Sequence, residues 1–125
     1  MQYLLLIYED ESVYGPGPDK DGEALNKLVA GHMAFNQELG AKRLGGAGLK
    51  NTISATTVRT DANGAKTLHD GPFAETKEQL GGFYMIEADD LDEAIAIARR
   101  IPLVRAGSVE IRPLLGQSER KAAAE

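Results

Sequence analysis

Residues 3–8 read YLLLIY and are apolar at odd and even positions alike. A strand that faces solvent on one side alternates apolar and polar side chains, whereas a strand buried on both faces does not. Both faces of this run must therefore be covered. The sequence predicts a central strand in a sheet whose two faces are both buried.

Two amphipathic helices are predicted by the spacing of apolar residues. In residues 23–39 the apolar stripe includes one histidine, and Gly40 follows as a C-terminal cap. The stripe consists of Leu25, Leu28, His32, Phe35 and Leu39. A second helix is expected to begin after Asp90, where Glu93 completes a capping box, and to stop at Pro102.

The segment between the helices is predicted to form strands. Residues 41–49 contain Gly45, Gly46 and Gly48, which weaken a strand but allow a bulge or the close approach of another backbone. A later Asn-Gly pair at positions 63 and 64 is typical of a hairpin turn, and residues rich in Thr, Ile and Val precede it.

Residues 82–88 and 108–114 complete the predicted strands, and the last one alternates apolar and charged side chains. The order of strand, helix, two or three strands, helix and strand predicts an α+β fold. We expect a ferredoxin-like sandwich with an antiparallel sheet and two helices on one face. Because the first strand is apolar on both sides, we expect another copy of the chain to cover the other face, which gives a homodimeric α+β barrel.

Length and composition restrict the class of protein. The chain has 125 residues, no cysteine and a formal net charge of -5. This length suits one domain, and the lack of cysteine fits a cytoplasmic location without disulfides. Residues 1–8 have no positively charged leader, and no later run approaches the roughly 18 apolar residues of a membrane span. We expect no membrane partner, and the scattered basic residues predict no direct contact with nucleic acid.

Four stretches together resemble one protein family. They are DGPFAETKE at residues 70–78, GGFY at residues 81–84, DLDEAIAIARRIP in the second helix and GSVEIRPL near the end. These stretches are similar to the YCII-related proteins that carry a DGPF motif. The resemblance implies a YCII-related DGPF domain at residues 1–116, followed by a polar C-terminal tail at residues 117–125. It also implies a dimeric barrel of ferredoxin-like protomers.

The resemblance also bears on activity. In the wider superfamily a histidine on the first helix, matched here by His32, is paired with an aspartate near the end of the second helix. Where relatives read Asp-Pro, this chain has Ile101-Pro102. Some superfamily members catalyse dehydrohalogenation of lactones, and DGPF-type relatives are often encoded beside extracytoplasmic-function sigma factors. The resemblance thus implies elimination chemistry or association with a sigma factor, and it leaves open which carboxylate replaces the aspartate.

His32 is the first candidate catalytic residue. On the apolar stripe of a helix, an imidazole is either a packed core side chain or a general base whose pKa is set by burial and a nearby carboxylate. The sequence leaves both interpretations open.

The charged residues of the DGPF stretch form a second group of candidates. Asp70 lies in a predicted turn, where its carboxylate accepts backbone hydrogen bonds or binds a ligand. Glu75, Lys77 and Glu78 either form ion pairs with one another or line a cleft. In the second case Glu75 or Glu78 is a catalytic acid or base and Lys77 binds an anionic group of the ligand.

Three further ligand-binding candidates lie on predicted strands. Tyr84 follows the DGPF stretch, where its hydroxyl reaches the same space or its ring simply packs. Glu110 and Arg112 share the strand face opposite Val109 and Ile111, so we expect them to point into the space between subunits. There they either bridge the subunits, or Arg112 binds a ligand carboxylate.

These features predict a protein that binds a small polar or anionic molecule in a cleft of the barrel and catalyses proton transfer or elimination. The alternative is a non-catalytic interaction or regulatory module. We expect no cofactor, because neither a phosphate-binding loop nor a nucleophile elbow is present. With two distant histidines and no cysteine, we also expect no metal site.

Overall fold

The computed structural model describes residues 1–116, so the predicted tail at residues 117–125 lies outside the described residues. This part of the chain contains six strands and two α-helices, and four strands lie between the helices where the sequence predicts two or three. They are β1 (Gln2–Glu9), α1 (Gly22–Leu39), β2 (Arg43–Gly48), β3 (Thr56–Thr60), β4 (Lys66–Asp70), β5 (Gln79–Glu87), α2 (Leu91–Ala98) and β6 (Gly107–Pro113). Neither helix within the described range is long and apolar enough to cross a membrane.

Four strands form one antiparallel sheet in the order β2-β5-β1-β6. β1 lies between β5 and β6, so the central position that its apolar composition predicts is confirmed. β3 and β4 form a separate two-stranded hairpin. Without this insertion the chain runs β-α-β-β-α-β, which is the ferredoxin-like α+β arrangement expected from the sequence.

The core lies between the helices and one face of the sheet. Its fully buried strand residues alternate along β1 and β5, as the pleat of a strand requires. They are Tyr3, Leu5, Ile7, Tyr84 and Ile86. Phe35 and Leu39 of α1 cover them, and Val109 and Ile111 of β6 pack at the edge, as the alternation in β6 predicts. Each large apolar side chain buried in this way contributes about 1.5–3 kcal/mol.

The face of the sheet opposite the helices is also apolar at its centre. Cross-strand partners point to the same side of a sheet, and the register pairs Leu4 with Met85 and Leu6 with Phe83. These side chains are half-buried within the single chain. This is the face on which the sequence predicts a second copy, and the dimer stays a prediction.

Local sequence signals set the ends of α2. The Asp90 carboxylate accepts a hydrogen bond from the Glu93 amide at 2.9 Å, as the predicted capping box requires. The Glu93 carboxylate in turn accepts from the amide of Asp89 at 3.1 Å, one residue earlier than the usual partner. The regular helix ends at Ala98, and one turn carries the chain to Pro102.

The strand β5 is longer than expected. The sequence predicts a strand over residues 82–88, but the strand begins at Gln79 and includes Gly81 and Gly82. A Cβ atom at position 82 would lie 3.0 Å from the carbonyl oxygen of Ala47. The glycine therefore allows β2 and β5 to approach closely, and the predicted bulge in β2 is present as a register shift between Arg43 and Gly45.

The hairpin of β3 and β4 has the predicted turn. Gly64 adopts a φ of +84°, a conformation that favours glycine, and the Asp61 carboxylate accepts a hydrogen bond from the Asn63 amide at 2.8 Å. Val58 and Leu68 are cross-strand partners, and both are exposed. The hairpin therefore presents apolar side chains outside the core.

Candidate functional site

A cavity of about 460 Å³ lies between α1 and the strands β1, β2 and β5. Small-molecule sites in proteins usually have volumes of about 300–1,000 Å³. Much of the apolar wall comes from α1, through Leu25, Leu28, Val29 and Met33. The polar side chains that line the cavity include Glu9, Lys20, His32, Asn36, Arg43 and Tyr84. The cavity is thus apolar along its helix wall and carries charges of both signs.

His32 and Tyr84 form a hydrogen-bonded pair in the wall of this cavity. The Nδ1 atom of His32 lies 2.6 Å from the Tyr84 hydroxyl, and the two rings stack with centroids 5.6 Å apart. Phe35 holds the Tyr84 ring from the side, edge to face, at 5.3 Å. The helical stripe turns His32 toward the sheet, and the alternation in β5 turns Tyr84 toward the helix. Both sequence candidates therefore meet at one point.

The protonation states of this pair follow from its surroundings. Burial lowers the pKa of His32 below its usual 6.5, and the positive charge of Lys20 lowers it further. Burial raises the pKa of the Tyr84 hydroxyl, with a smaller opposing effect from Arg43. Near neutral pH the imidazole is consequently uncharged and the hydroxyl keeps its proton.

Lys20 extends from the loop between β1 and α1 into the cavity. Its ammonium donates to the carbonyl oxygen of Gly81 at 3.2 Å and lies 4.8 Å from the centre of the Tyr14 ring. Burial lowers the pKa of Lys20, and the negative charges of Glu9 and Glu11 oppose that shift. None of the ion pairs within residues 1–116 includes Lys20.

Glu9 is a buried carboxylate at the same end of the cavity. It is 7% exposed and accepts a hydrogen bond from the hydroxyl of Tyr14, which is itself fully buried. Burial is the main cause of the raised pKa of Tyr14, so this hydroxyl stays protonated and remains a donor. The Glu9 carboxylate is thus held in place by a neutral donor rather than by a cation.

Asn51 fastens the loop that carries Lys20. Its amide nitrogen donates to the carbonyl oxygens of Gly15 at 3.2 Å and Gly17 at 3.0 Å, and its backbone N–H donates to Pro18 at 3.0 Å. Because Asn51 is only 3% exposed, these bonds are shielded from water. They fix the backbone immediately before Lys20.

Arg43 forms the other cationic part of the wall. Its guanidinium lies 5.7 Å from the centre of the Tyr84 ring and donates to the carbonyl oxygen of Gly46 at 3.3 Å. Within the described chain Arg43 has no ion-pair partner either. Two buried polar atoms in this wall, Arg43 Nε and Asn36 Oδ1, also lack a hydrogen-bond partner among the described residues. The unused Arg43 N–H donor favours an anionic ligand, whereas Asn36 Oδ1 is an acceptor and needs a donor.

The charged residues of the DGPF stretch lie outside the cavity. Asp70 is the last residue of β4 and is exposed. Gly71 after it adopts a φ of +109°, which fits the turn predicted from the sequence. Glu75 and Lys77 are exposed as well, whereas Glu78 accepts a hydrogen bond from the Ser108 hydroxyl at 3.0 Å. Of the two alternatives that the sequence leaves open, neither ion pairing within this group nor a place in the cavity wall is present among residues 1–116.

Glu110 and Arg112 point away from the helices, as the alternation in β6 predicts. The Arg112 guanidinium and the Glu110 carboxylate pair with each other at 3.1 Å, and both side chains are exposed. They therefore lie on the opposite side of the sheet from His32. An exposed pair of this kind contributes about 0–1 kcal/mol.

The position of the missing aspartate is part of the core. Ile101 is 6% exposed and packs in the apolar cluster, and the hydrogen-bond partner of His32 is the Tyr84 hydroxyl rather than a carboxylate. No group of three or more His, Asp or Glu side chains in the part of the chain that the structure describes has the arrangement of a metal site.

Sequence reasoning did not select Lys20, Arg43 or Glu9. Two signals point to them in retrospect. Lys20 lies in the loop of residues 9–22, whose length is itself a sign of a cleft border. Arg43 is the first residue of β2, three positions before Gly46, where the absence of a side chain leaves space for its guanidinium.

Comparisons with known proteins identify the family of this chain. The family model for the YCII-related domain matches residues 1–116. An uncharacterised protein from Rhizobium meliloti (strain 1021) is 41% identical over 117 residues, which cover 91% of this chain and 92% of that protein. A solved structure of a 5-chloro-2-hydroxyhydroquinone dehydrochlorinase from Burkholderia phenoliruptrix AC1100, in complex with 2,5-dihydroxybenzoquinone, aligns with a TM-score of 0.43. It is 21% identical, and the alignment covers 95% of this chain and 99% of that chain.

Proposed function

Because this chain belongs to the YCII-related family and its cavity holds a histidine–tyrosine pair beside two cations, we propose that it binds a small organic acid there and exchanges a proton with it. The observation that carries the proposal is the position of Lys20 and Arg43. Both cations line the same cavity as His32, and neither has an ion-pair partner within residues 1–116. A bound carboxylate would accept hydrogen bonds from the N–H donors of these cations that residues 1–116 leave unused.

The cavity wall supports proton transfer at His32. Since burial and Lys20 lower its pKa, the imidazole is neutral near pH 7 and has a lone pair available to accept a proton. In the tautomer that carries its proton on Nδ1, the Nδ1–H group donates a hydrogen bond to the Tyr84 oxygen. Nε2 then has the lone pair that accepts a proton from the substrate. Tyr84 is a positioning residue in this scheme, because its hydroxyl bonds to Nδ1 and its ring stacks on the imidazole, which together fix the orientation of the ring.

The acid group of the ligand would raise the acidity of the reacting C–H bond only indirectly, so the substrate also needs an activating group such as a ketone. A carboxylate held by Arg43 or Lys20 places such a molecule in the cavity in a fixed orientation. The proton then passes from carbon to Nε2 of His32. Return of the proton to another carbon gives isomerisation, and loss of a leaving group gives elimination.

Proton exchange with a keto acid tests this proposal. Levulinate carries a ketone, and the protons on the carbons next to this ketone exchange with D2O. The 1H NMR signals of these protons should disappear faster with the protein than in buffer alone. The variant His32→Gln should abolish the acceleration, and the matched variant His69→Gln on the exposed strand β4 should retain it. Equal exchange rates with the native protein and with His32→Gln would exclude His32 as the base.

Binding is tested separately from exchange. Benzoate should shift the ring signals of His32, whereas benzamide, which has the same shape without the charge, should not. Arg43→Gln should weaken binding of benzoate, and Arg59→Gln, which alters an exposed arginine of the hairpin, should leave it unchanged. Loss of binding in both variants would show a nonspecific effect of net charge.

The homodimer is part of the same proposal. The half-buried face that contains Leu4, Leu6, Phe83 and Met85 supports a second copy as its cover. Light scattering after size-exclusion chromatography should give twice the chain mass of 13.4 kDa. The variant Leu6→Glu should give the single mass, and a monomeric native protein would contradict the barrel.

A second candidate function is an interaction module, and the exposed hairpin favours it. Leu68 is 76% exposed and Phe73 in the DGPF stretch is 74% exposed, an arrangement that suits contact with another protein. Association with an extracytoplasmic-function sigma factor would use this surface. Leu68→Glu should then abolish binding to a purified sigma factor of that class without changing benzoate binding.

A further inference from the structure

Each of the two cavity cations lies over a glycine. A Cβ atom at position 81 would be 3.2 Å from the Lys20 ammonium, and one at position 46 would be 3.3 Å from the Arg43 guanidinium. Each cation also donates one hydrogen bond to the carbonyl oxygen of the glycine beneath it. The floor of the cavity therefore provides two seats of the same construction, one for each cation.

Most donors of the two cations remain available. A lysine ammonium has three N–H donors and a guanidinium has five, and the described chain uses one donor of each. The ring of Tyr14 supports the ammonium and the ring of Tyr84 supports the guanidinium through cation–π contacts, which do not use N–H donors. Both heads are thus held in place and can still bind an anion.

The two seats are separated along the strand β5. Gly46 is the cross-strand partner of Tyr84, and Gly81 lies three residues earlier on the same strand. At about 3.3 Å per residue this spacing corresponds to roughly 10 Å between the seats. A single carboxylate is much shorter than this backbone spacing, whereas a molecule with an acid group at each end can span it.

We propose that the ligand is a small diacid with an apolar or aromatic spacer, bound with one carboxylate on Lys20 and the other on Arg43. This inference rests on the proposed binding of an organic acid and specifies its class. The spacer lies against the apolar wall that Leu25, Leu28 and Val29 of α1 provide. Tyr84 lies beside Arg43, and His32 is bonded to Tyr84 and also experiences the charge of Lys20. The reacting carbon is therefore one in the spacer, next to an activating group such as a ketone.

Glu9 sets the selectivity at the Lys20 end. Its buried carboxylate favours the charged form of Lys20. It also repels a second carboxylate nearby, which limits the affinity of the diacid. The variant Glu9→Gln should therefore tighten binding of diacids while leaving the affinity for a neutral-ended molecule unchanged.

A series of linear diacids from malonate to suberate, measured by isothermal titration calorimetry, tests the inference. Affinity should pass through a maximum within the series and should fall for shorter and longer members. The monomethyl ester of the best diacid has the same length but one charge fewer. It should bind about 10- to 100-fold more weakly, because a hydrogen bond to a charged group is lost.

Protein variants assign the two ends. Lys20→Gln and Arg43→Gln should each reduce affinity for the diacid to that of the monoester, and Lys20→Arg and Arg43→Lys should recover part of it. Lys66→Gln and Arg59→Gln, both on the exposed hairpin, are the matched controls, and circular dichroism verifies folding of every variant.

The outcomes separate the two proposals. If diacid and monoester bind equally and Lys20→Gln changes neither affinity, the diacid inference is wrong while the binding of a monoacid stands. If no acid of either kind binds to the folded native protein, the proposed function is wrong as well. If affinity shows no maximum with diacid length, the inference that two cations at a fixed separation bind the two ends of the ligand is wrong.

Discussion

Gly46 offers a direct test of how β2, β5 and the cavity wall fit together. A Cβ atom at this position would lie 2.7 Å from the carbonyl oxygen of Phe83 and 3.1 Å from the Tyr84 ring. The carbonyl is backbone, so it cannot rotate away as a side chain would. The substitution Gly46→Ala therefore forces β2 and β5 apart at the point where Tyr84 enters the cavity.

The size of the effect follows from this overlap. Inserting one methyl group into a closely packed site costs about 1–3 kcal/mol of unfolding free energy. At Gly45, one residue earlier on β2, a Cβ atom has no neighbour within 4 Å. The backbone there has no positive φ, so Gly45→Ala should instead stabilise the protein by about 0.4–1 kcal/mol through the unfolded state.

Urea denaturation of the two variants measures the difference. The chain has no tryptophan, so far-UV circular dichroism is the suitable signal. With a slope of about 2 kcal/mol per molar urea, Gly46→Ala should lower the midpoint by about 1 M. Equal midpoints for the two variants would refute the close approach of β2 and β5 at Gly46.

Three further predictions concern charge and capping. Because the pKa of His32 is lowered in the folded state, the unfolded chain takes up the proton first as the pH falls. The free energy of unfolding should therefore decrease as the pH drops below about 6.5. His32→Gln should remove this part of the pH dependence, measured by urea denaturation at pH 5 and pH 8. Lys20→Gln should raise the pKa of His32, which NMR titration of the ring protons detects, with His69→Gln used to assign the two histidines; an unchanged titration would show that Lys20 does not act on the ring. Asp90→Ala should cost about 1 kcal/mol through loss of the α2 cap, and an unchanged thermal midpoint would contradict the capping role.

The cavity depends on loop segments that the sequence describes only as connections. Lys20 is held by the segment that Asn51 fastens, and Glu9 is held by Tyr14 in a short 3-10 turn. Long connections with buried aromatic side chains are therefore structural parts of this site. Their backbone hydrogen bonds, rather than secondary structure, fix the positions of the charges.

The individual elements were predictable because their signals are local. The stripe that ends at Leu39, the cap at Asp90 and the turn at Gly64 each depend on residues a few positions apart. The apolar run in residues 3–8 likewise predicts a central strand, since it is apolar at odd and even positions alike. These signals together also predict the ferredoxin-like order of elements.

The site was decided by contacts between distant segments. The sequence identified His32 and Tyr84 separately, but their hydrogen bond joins a helix to a strand 52 positions later. The stretch with the most unusual composition, DGPFAETKE, places Glu75 and Lys77 on the surface, whereas Lys20 and Arg43 from less conspicuous stretches line the cavity. Local pattern determines which face of an element a side chain occupies. Only the packing of α1 on the sheet determines which charges lie beside His32 without an ion-pair partner among residues 1–116.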